Sequence, residues 1–359
     1  MNWGTAMKAR QIPILLCAAT ALLAATACGG KKKSYDELGS SGLTTRTENL
    51  QANLRTFADK GVMVGQVYGT LQGVGWRNDT TGRSDLHSIC DDSPACSSYE
   101  LAGIEQGAKA NADGFAFADI RRDVLRLFRR GGLPLLMWSA PDHHGDEQLL
   151  DGWLERLADF LASLHDGYGI KAPVVLFLFP LDDGAYTTRL SPEAYRTLFA
   201  HSIDRLRDLG VTNAIYGVSC TDQTGAVGDH LPDGVDVANL RVIQSKDEHL
   251  GAETYARRLE QSLGRFLPVA QERNLAVGIT AGQESLPSDT LFSAVLLPML
   301  HKHRLSYLLL GQNRGEAKDG RYCVPFPGLD NARIGDFMRF YNDEATIFLN
   351  TLNGLYLKH

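Results

Sequence analysis

Eight short apolar runs, at residues 62–67, 96–101, 134–138, 174–179, 214–218, 237–243, 275–279 and 305–310, constrain this chain more than any other feature. Each has the length of a strand, and each is apolar enough to be covered on both faces of its sheet. The stretches between them carry a helical period. Trp153, Leu157, Phe160 and Leu164 fall on one face, and Tyr195, Phe199 and Leu206 share a face in a segment opened by Ser191-Pro192-Glu193 and stopped at Gly210. Leu50, Leu54 and Phe57, spaced i, i+4, i+7, predict an opening helix closed by Gly61. Repeated strand-helix units of this kind predict one closed parallel sheet, a single-domain α/β protein of the (β/α)8 or TIM-barrel type spanning residues 46–359. A doubly wound open sheet is the competing arrangement, but no G-x-G-x-x-G or phosphate-binding loop follows any of the runs. In a barrel, functional residues stand at the C-terminal ends of the strands.

The N-terminus is read separately from the fold. Lys8 and Arg10 precede an uncharged stretch, 11–27, that ends in Ala25-Thr26-Ala27, the pattern of a secretion signal over residues 1–27. It is too short and too rich in alanine for a comfortable membrane span. Leu23-Ala24-Ala25-Thr26-Ala27-Cys28 resembles the bacterial lipobox, in which Cys28 becomes the lipidated N-terminus; the plainer alternative is cleavage after Ala27 with a chance cysteine following. Residues 28–45, rich in Gly, Lys and Ser after the cysteine, read as a flexible tether. The expected location is therefore outside the cytoplasm, lipid-anchored to the bacterial cell envelope, with the periplasmic or surface face left open.

Composition matters here for what it excludes. With 44% hydrophobic residues among 359, the chain buries a full core and is neither disordered nor fibrous. A formal net charge of -6, from 36 basic and 42 acidic residues that are mostly intermixed, leaves no broad basic surface for phosphate backbones, so nucleic acid is not expected as a partner. Of the six cysteines, Cys17 lies in the signal and Cys28 in the lipobox. Export permits disulfides, and Cys90 and Cys96 bracket the turn-prone Asp91-Asp92-Ser93-Pro94, so a local bridge between them is plausible; Cys220 and Cys323 read as separate strand-end residues. No zinc-type Cys or His spacing is present. His143-His144 with Asp146 and Glu147 offers metal-type donors, but adjacent loop histidines are more often solvated. No metal and no cofactor is expected.

Several strand ends, taken in order, carry further marks. These are Gly75-Trp76 with Gly82-Arg83-Ser84-Asp85, Pro94-Ala95 leading to Gly103-Ile104-Glu105, and Gly131-Gly132 leading to Trp138. Further on come Ser191-Pro192-Glu193-Ala194-Tyr195, the stretch 206–213, Val324-Pro325-Phe326-Pro327-Gly328 and Phe340-Tyr341-Asn342-Asp343. In order and spacing the chain resembles glycoside hydrolase family 26, a family dominated by β-mannanases, over about residues 45–350. The resemblance implies a (β/α)8 barrel, a β-mannan-like polysaccharide as partner, and retaining hydrolysis by two carboxylates about 5 to 5.5 Å apart.

The catalytic motifs of that family are degenerate in this chain. Against a strand-4 motif F-R-P-x-H-E-H stands Phe177-Leu178-Phe179-Pro180-Leu181-Asp182-Asp183, which puts Asp182, shorter by one methylene, at the acid/base position. Against the strand-7 motif L-T-E-x-G stands Ile279-Thr280-Ala281-Gly282-Gln283, which leaves Ala281 in place of the nucleophile, with Glu284 the nearest carboxylate. The surrounding residues differ as well. Trp138-Ser139 replaces Trp-His, Gly311-Gln312-Asn313 replaces Trp-Arg-Asn, Gly65-Gln66 replaces the start of Gly-His-Gln, and Tyr99-Glu100 replaces Trp-Asp. No catalytic pair is expected; were the chain active, Asp182, Asp183 and Glu284 would carry the chemistry. Trp76, Tyr99, Glu100, Trp138, Asp182, Asp183 and Tyr322 are the candidate saccharide-binding residues, since aromatic rings suit the apolar faces of sugars and carboxylates accept from hydroxyls. The bland alternative is that the rings cap the core and the aspartates are solvated. Three functions remain open: a lipoprotein that binds polysaccharide without cleaving it, a hydrolase with relocated carboxylates, and an envelope scaffold.

Overall fold

The computed structural model describes residues 36–182, 185–223 and 227–358. The eight runs are strands: β1 (Val62–Val67), β2 (Cys96–Glu100), β3 (Leu133–Trp138), β4 (Val174–Leu178), β5 (Ala214–Thr221), β6 (Val237–Gln244), β7 (Ala276–Gln283) and β8 (Tyr307–Leu310). Each pairs in parallel with the next, and β1 pairs with β8 in the register Met63 to Tyr307 through Gln66 to Leu310, so the sheet closes on itself. A two-residue strand, Thr346–Ile347, runs parallel beside the start of β1. The larger helices of the outer ring are α2 (Phe117–Arg129), α3 (Glu147–Ser163), α4 (Pro192–Asp208), α5 (Ala252–Glu272) and α6 (Asn331–Tyr341), and α1 (Thr45–Phe57) precedes β1. No helix among the described residues is long and apolar enough to cross a membrane.

Two-residue periodicity divides each strand between two cores. Met63, Cys96, Leu133, Leu135, Val175, Phe177, Ile215, Val237, Ala276, Tyr307 and Leu309 fill the barrel, and Leu50, Leu54 and Phe57 of α1, the opening helix predicted from their spacing, join this cluster. The alternate residues, such as Val64, Leu136, Leu176, Leu240 and Ile279, pack outward against the helices. The interior fits because small and large residues face one another. A Cβ on Gly217 would overlap the ring of Phe177, and one on Gly278 would overlap Tyr307. The helix starts follow the sequence signals: Ser191 caps α4 by accepting from Ala194 N at 3.2 Å, and Asp146 caps α3 by accepting from Leu149 N at 3.0 Å.

Two sequence expectations change. The folded unit reaches back into the stretch read as tether, since Asp36 accepts from Lys171 N at 3.1 Å and Thr44 N donates to Thr212 O at 2.8 Å. Cys90 and Cys96 are not bridged; with Cys220 and Cys323 they are buried free thiols. The reason is strand parity. Cys96 points into the barrel interior with Met63, whereas Cys90, on a short helix, lies in the outer core with its thiol directed at Leu86 O, 3.2 Å away. Cys28 and the signal lie outside the described residues.

Candidate functional site

The C-terminal strand ends open into two adjoining cavities. One, of about 430 Å³, lies over the barrel axis and is lined by Ser98, Glu100, Met137, Arg241, Thr280 and Glu284 among others. The second, of about 800 Å³, is walled by Trp76, Arg77, Phe115, Lys246 and Arg321, and both share Asp113, Gln312 and Arg314.

Parity decides which candidates reach this space. On β2, Ser98 and Glu100 line the axial cavity. Glu100 Oε1 accepts from the backbone N–H groups of Leu101, Ala102 and Ser139 at 2.9, 2.9 and 3.0 Å, and Oε2 accepts from Ser139 Oγ at 2.7 Å. Burial nevertheless lifts its carboxyl above the ordinary value, the hydrogen bonds offsetting only part of the cost of charge. Tyr99 borders the cavity as well, but its hydroxyl end is directed away from it. It is 1% exposed, its hydroxyl donates to Asp123 of α2 at 2.8 Å, and burial pushes its own ionisation up. Trp138 also points outward, fully buried, with Nε1 donating to Glu105 at 3.1 Å and its ring 5.3 Å from Phe179. Neither ring can stack on a ligand in the mouth.

Trp76 does border the larger cavity. It sits on a hairpin formed by Gln72–Gly73 and Trp76–Arg77, where its Nε1 donates to buried Asp85 at 2.7 Å and Arg83 lies 5.0 Å above its ring. Tyr322 is half-buried on Phe326, with ring centroids 4.9 Å apart, and lines neither cavity.

The carboxylates singled out in the sequence are already engaged. Asp182 is ion-paired through Oδ2 with Arg241, while its buried Oδ1 has no hydrogen-bond partner among the described residues. Asp183 lies outside the described residues. Glu284 accepts from Arg314 and from the Lys246 backbone N–H, each at 3.3 Å. Asp113 accepts from the Tyr68 hydroxyl at 2.7 Å.

On β7 parity again divides neighbouring residues. Ala281 is fully buried in the outer core, whereas Thr280 lines the axial cavity and accepts from Asn239 Nδ2 at 3.2 Å. Neither residue carries a carboxylate. Arg241, Arg314 and Lys246 were missed, although Arg241 is the only charged residue in the run 237–243 and so carried a legible signal. Among the described residues no three metal-type side chains gather into a site, and Asp146 is occupied in capping α3.

No family model matches the chain. Solved structures do. A family 26 β-mannanase from Bacteroides ovatus is 27% identical, with a TM-score of 0.79 over 87% of this chain and 97% of its own. A family 26 protein from a Muricauda species is 21% identical, with a TM-score of 0.74 over 88% of this chain and 94% of its own. The catalytic domain of a family 26 endo-β-1,4-mannanase from a Bacillus species is 19% identical, with a TM-score of 0.76 over 88% and 95%. The chain therefore has the single-domain (β/α)8 barrel of family 26 glycoside hydrolases, as the order of its motifs implied.

Proposed function

We propose that this protein is an exported, lipid-anchored barrel that captures a β-mannan-type polysaccharide at the cell envelope without cleaving it. The observation that carries this reading is the state of the barrel mouth. Retaining hydrolysis needs one carboxylate free to attack and a second able to deliver a proton. The mouth-facing residue on β7 is Thr280, and two of the three candidate carboxylates, Asp182 and Glu284, are each paired with an arginine. What remains is a polar cleft with Trp76 at one wall, suited to hydroxyl groups and a sugar face. The barrel's likeness to β-mannanases supports mannan as the polysaccharide class, and the lipobox ending at Cys28 supports the anchor.

The test is long incubation of the purified mature protein with β-mannan, glucomannan and mixed-linkage glucan, reading reducing ends, with affinity electrophoresis on the same polysaccharides. Retardation without reducing ends is expected. Reducing ends abolished by Asp182→Ala or Glu284→Ala would make the chain a hydrolase with relocated carboxylates, and no signal in either assay would favour the scaffold. Metabolic labelling with palmitate, lost in Cys28→Ala, checks the anchor.

A further inference from the structure

The end of the barrel opposite the mouth carries features that polysaccharide capture does not use. Asp36 accepts from Lys171 N at 3.1 Å in the loop between α3 and β4, and Thr44 N donates to Thr212 O at 2.8 Å in the loop between α4 and β5. Both loops lead into strands, so residues 36–44 are fastened to the face that lies away from the mouth. Only seven residues, 29–35, separate Asp36 from Cys28. At about 3.5 Å per residue, even a fully extended chain keeps a lipid on Cys28 within about 28 Å of Asp36. The longest strands have eight residues, which at about 3.3 Å each span about 26 Å. The mouth of an anchored barrel therefore meets the bilayer only with this stretch drawn taut along the whole barrel, whereas the opposite face meets it freely.

Side chains on that opposite face suit a lipid surface. Four large hydrophobic residues are exposed among the described residues, and three of them stand here. Tyr168, 81% exposed, is at the tip of the loop whose ends pair at His165 and Lys171. Leu38, 63% exposed, pairs with Thr44 beside the Asp36 contact. Leu357 is 65% exposed, and its carbonyl accepts from Asn53 of α1 at 2.7 Å, while the neighbouring Tyr356 hydroxyl donates to Gly132 O at 2.6 Å just before β3. A tyrosine ring is apolar in body and polar at its tip, the combination that settles at the headgroup level of a bilayer. Lys60 and Lys358 are exposed on the same face, and Lys31-Lys32-Lys33 follow Cys28-Gly29-Gly30 directly. Lysines beside an anchor are drawn to anionic headgroups.

We infer that this face docks on a phospholipid surface through Tyr168, Leu38 and Leu357, which points the barrel mouth away from the bilayer toward arriving polysaccharide. The inference rests on the lipid anchor proposed above.

The experiment uses the full chain, lipidated in a bacterial host and reconstituted into vesicles of phosphatidylethanolamine and phosphatidylglycerol, with and without lipid bearing a nitroxide on its headgroup, a quencher that acts only at close contact. One protein carries a dye on Gly167→Cys, beside Tyr168, where an added side chain meets nothing. A second carries it on Lys318→Cys, exposed between the mouth-lining Glu316 and Asp319. The four native thiols of the folded unit are buried and do not compete for the dye. Quenching is expected from Gly167→Cys and not from Lys318→Cys. It should weaken when Tyr168→Ser is added and be lost when Leu38→Ser, Tyr168→Ser and Leu357→Ser are combined, with Tm unaltered. Quenching that is equal at both positions, absent at both, or unchanged by Tyr168→Ser and by the triple variant would overturn the docking and leave the anchor standing. A chain that stays out of the vesicles, as Cys28→Ala should, would overturn the anchor and the docking that rests on it.

Discussion

Removing the carboxylate of Asp85 tests how the barrel holds its aromatic wall. Asp85 is 2% exposed, and its side chain accepts three hydrogen bonds: from Val74 N at 2.9 Å, Trp76 Nε1 at 2.7 Å and Asn313 Nδ2 at 2.7 Å. Asn313 in turn accepts from Cys323 N and Val324 N, so one carboxylate ties the Trp76 hairpin to the loop after β8. Hydrogen bonds to a charged group contribute about 1.5–3 kcal/mol each, but the half-exposed Trp76 can be rehydrated, so Asp85→Ala is expected to cost about 3–4 kcal/mol. At about 2 °C per kcal/mol for a domain of this size, Tm should fall by about 6–8 °C. Asp85→Asn separates the two roles. Its amide oxygen can serve Val74 and Asn313, but its NH2 then confronts the Trp76 N–H, so stability falls by only about 1–2 kcal/mol while the ring loses its anchor. Polysaccharide retention in affinity gels should drop in both variants, and tryptophan emission should shift to the red. An Asp85→Ala protein that melts within about 2 °C of wild type would refute the argument that this carboxylate organises the mouth.

Other outcomes follow from the same geometry. Trp138→Phe removes one of the two N–H groups that buried Glu105 accepts from, the Gly103 N–H remaining, so it should destabilise by about 1–3 kcal/mol in urea titrations yet leave polysaccharide retention unchanged; a selective loss of binding would mean that this ring faces the ligand after all. Burial raises the Glu100 carboxyl above its ordinary 4.5, so the folded state holds that proton more tightly than the unfolded chain, and this group's contribution to stability grows as pH falls through its raised folded value toward about 4.5. Glu100→Gln keeps the acceptor for three N–H groups and should match or exceed wild-type stability at about pH 8, an advantage that shrinks toward about pH 4.5; the opposite trend would contradict the assigned cause. Arg241→Ala should destabilise by about 1–3 kcal/mol by stranding Asp182, an effect that the double variant with Asp182→Asn largely reverses. The thiols of the folded protein should resist alkylation, Cys90 being pushed up to about 11 by burial, and reduction should leave the mobility of the denatured chain unchanged.

Much of the barrel was legible before any coordinates, because strand and helix periods are local properties of a sequence. The apolar runs at 62–67 and 174–179 became β1 and β4, and the spacing of Leu50, Leu54 and Phe57 placed α1 as it stands. The site was less legible, and for one physical reason. Side chains alternate along a strand, so a one-residue shift exchanges the cavity face for the helix face. In a run apolar on both faces, nothing local states which parity points inward. Tyr99 and Trp138 looked like sugar platforms and are outer-core residues; Ala281 is an outer-core residue too, while its neighbour Thr280 faces the cavity. The proposed bridge failed in the same way, since Cys90 and Cys96 are near in sequence but belong to different cores. The pairings of Asp182 with Arg241 and Glu284 with Arg314 join residues far apart in the chain. The sequence by itself determined the strands, the helices and the absence of a carboxylate in the strand-7 motif. Only closure of the barrel, by choosing which face of every strand looks inward, decided which side chains meet in the mouth and which charges they find there.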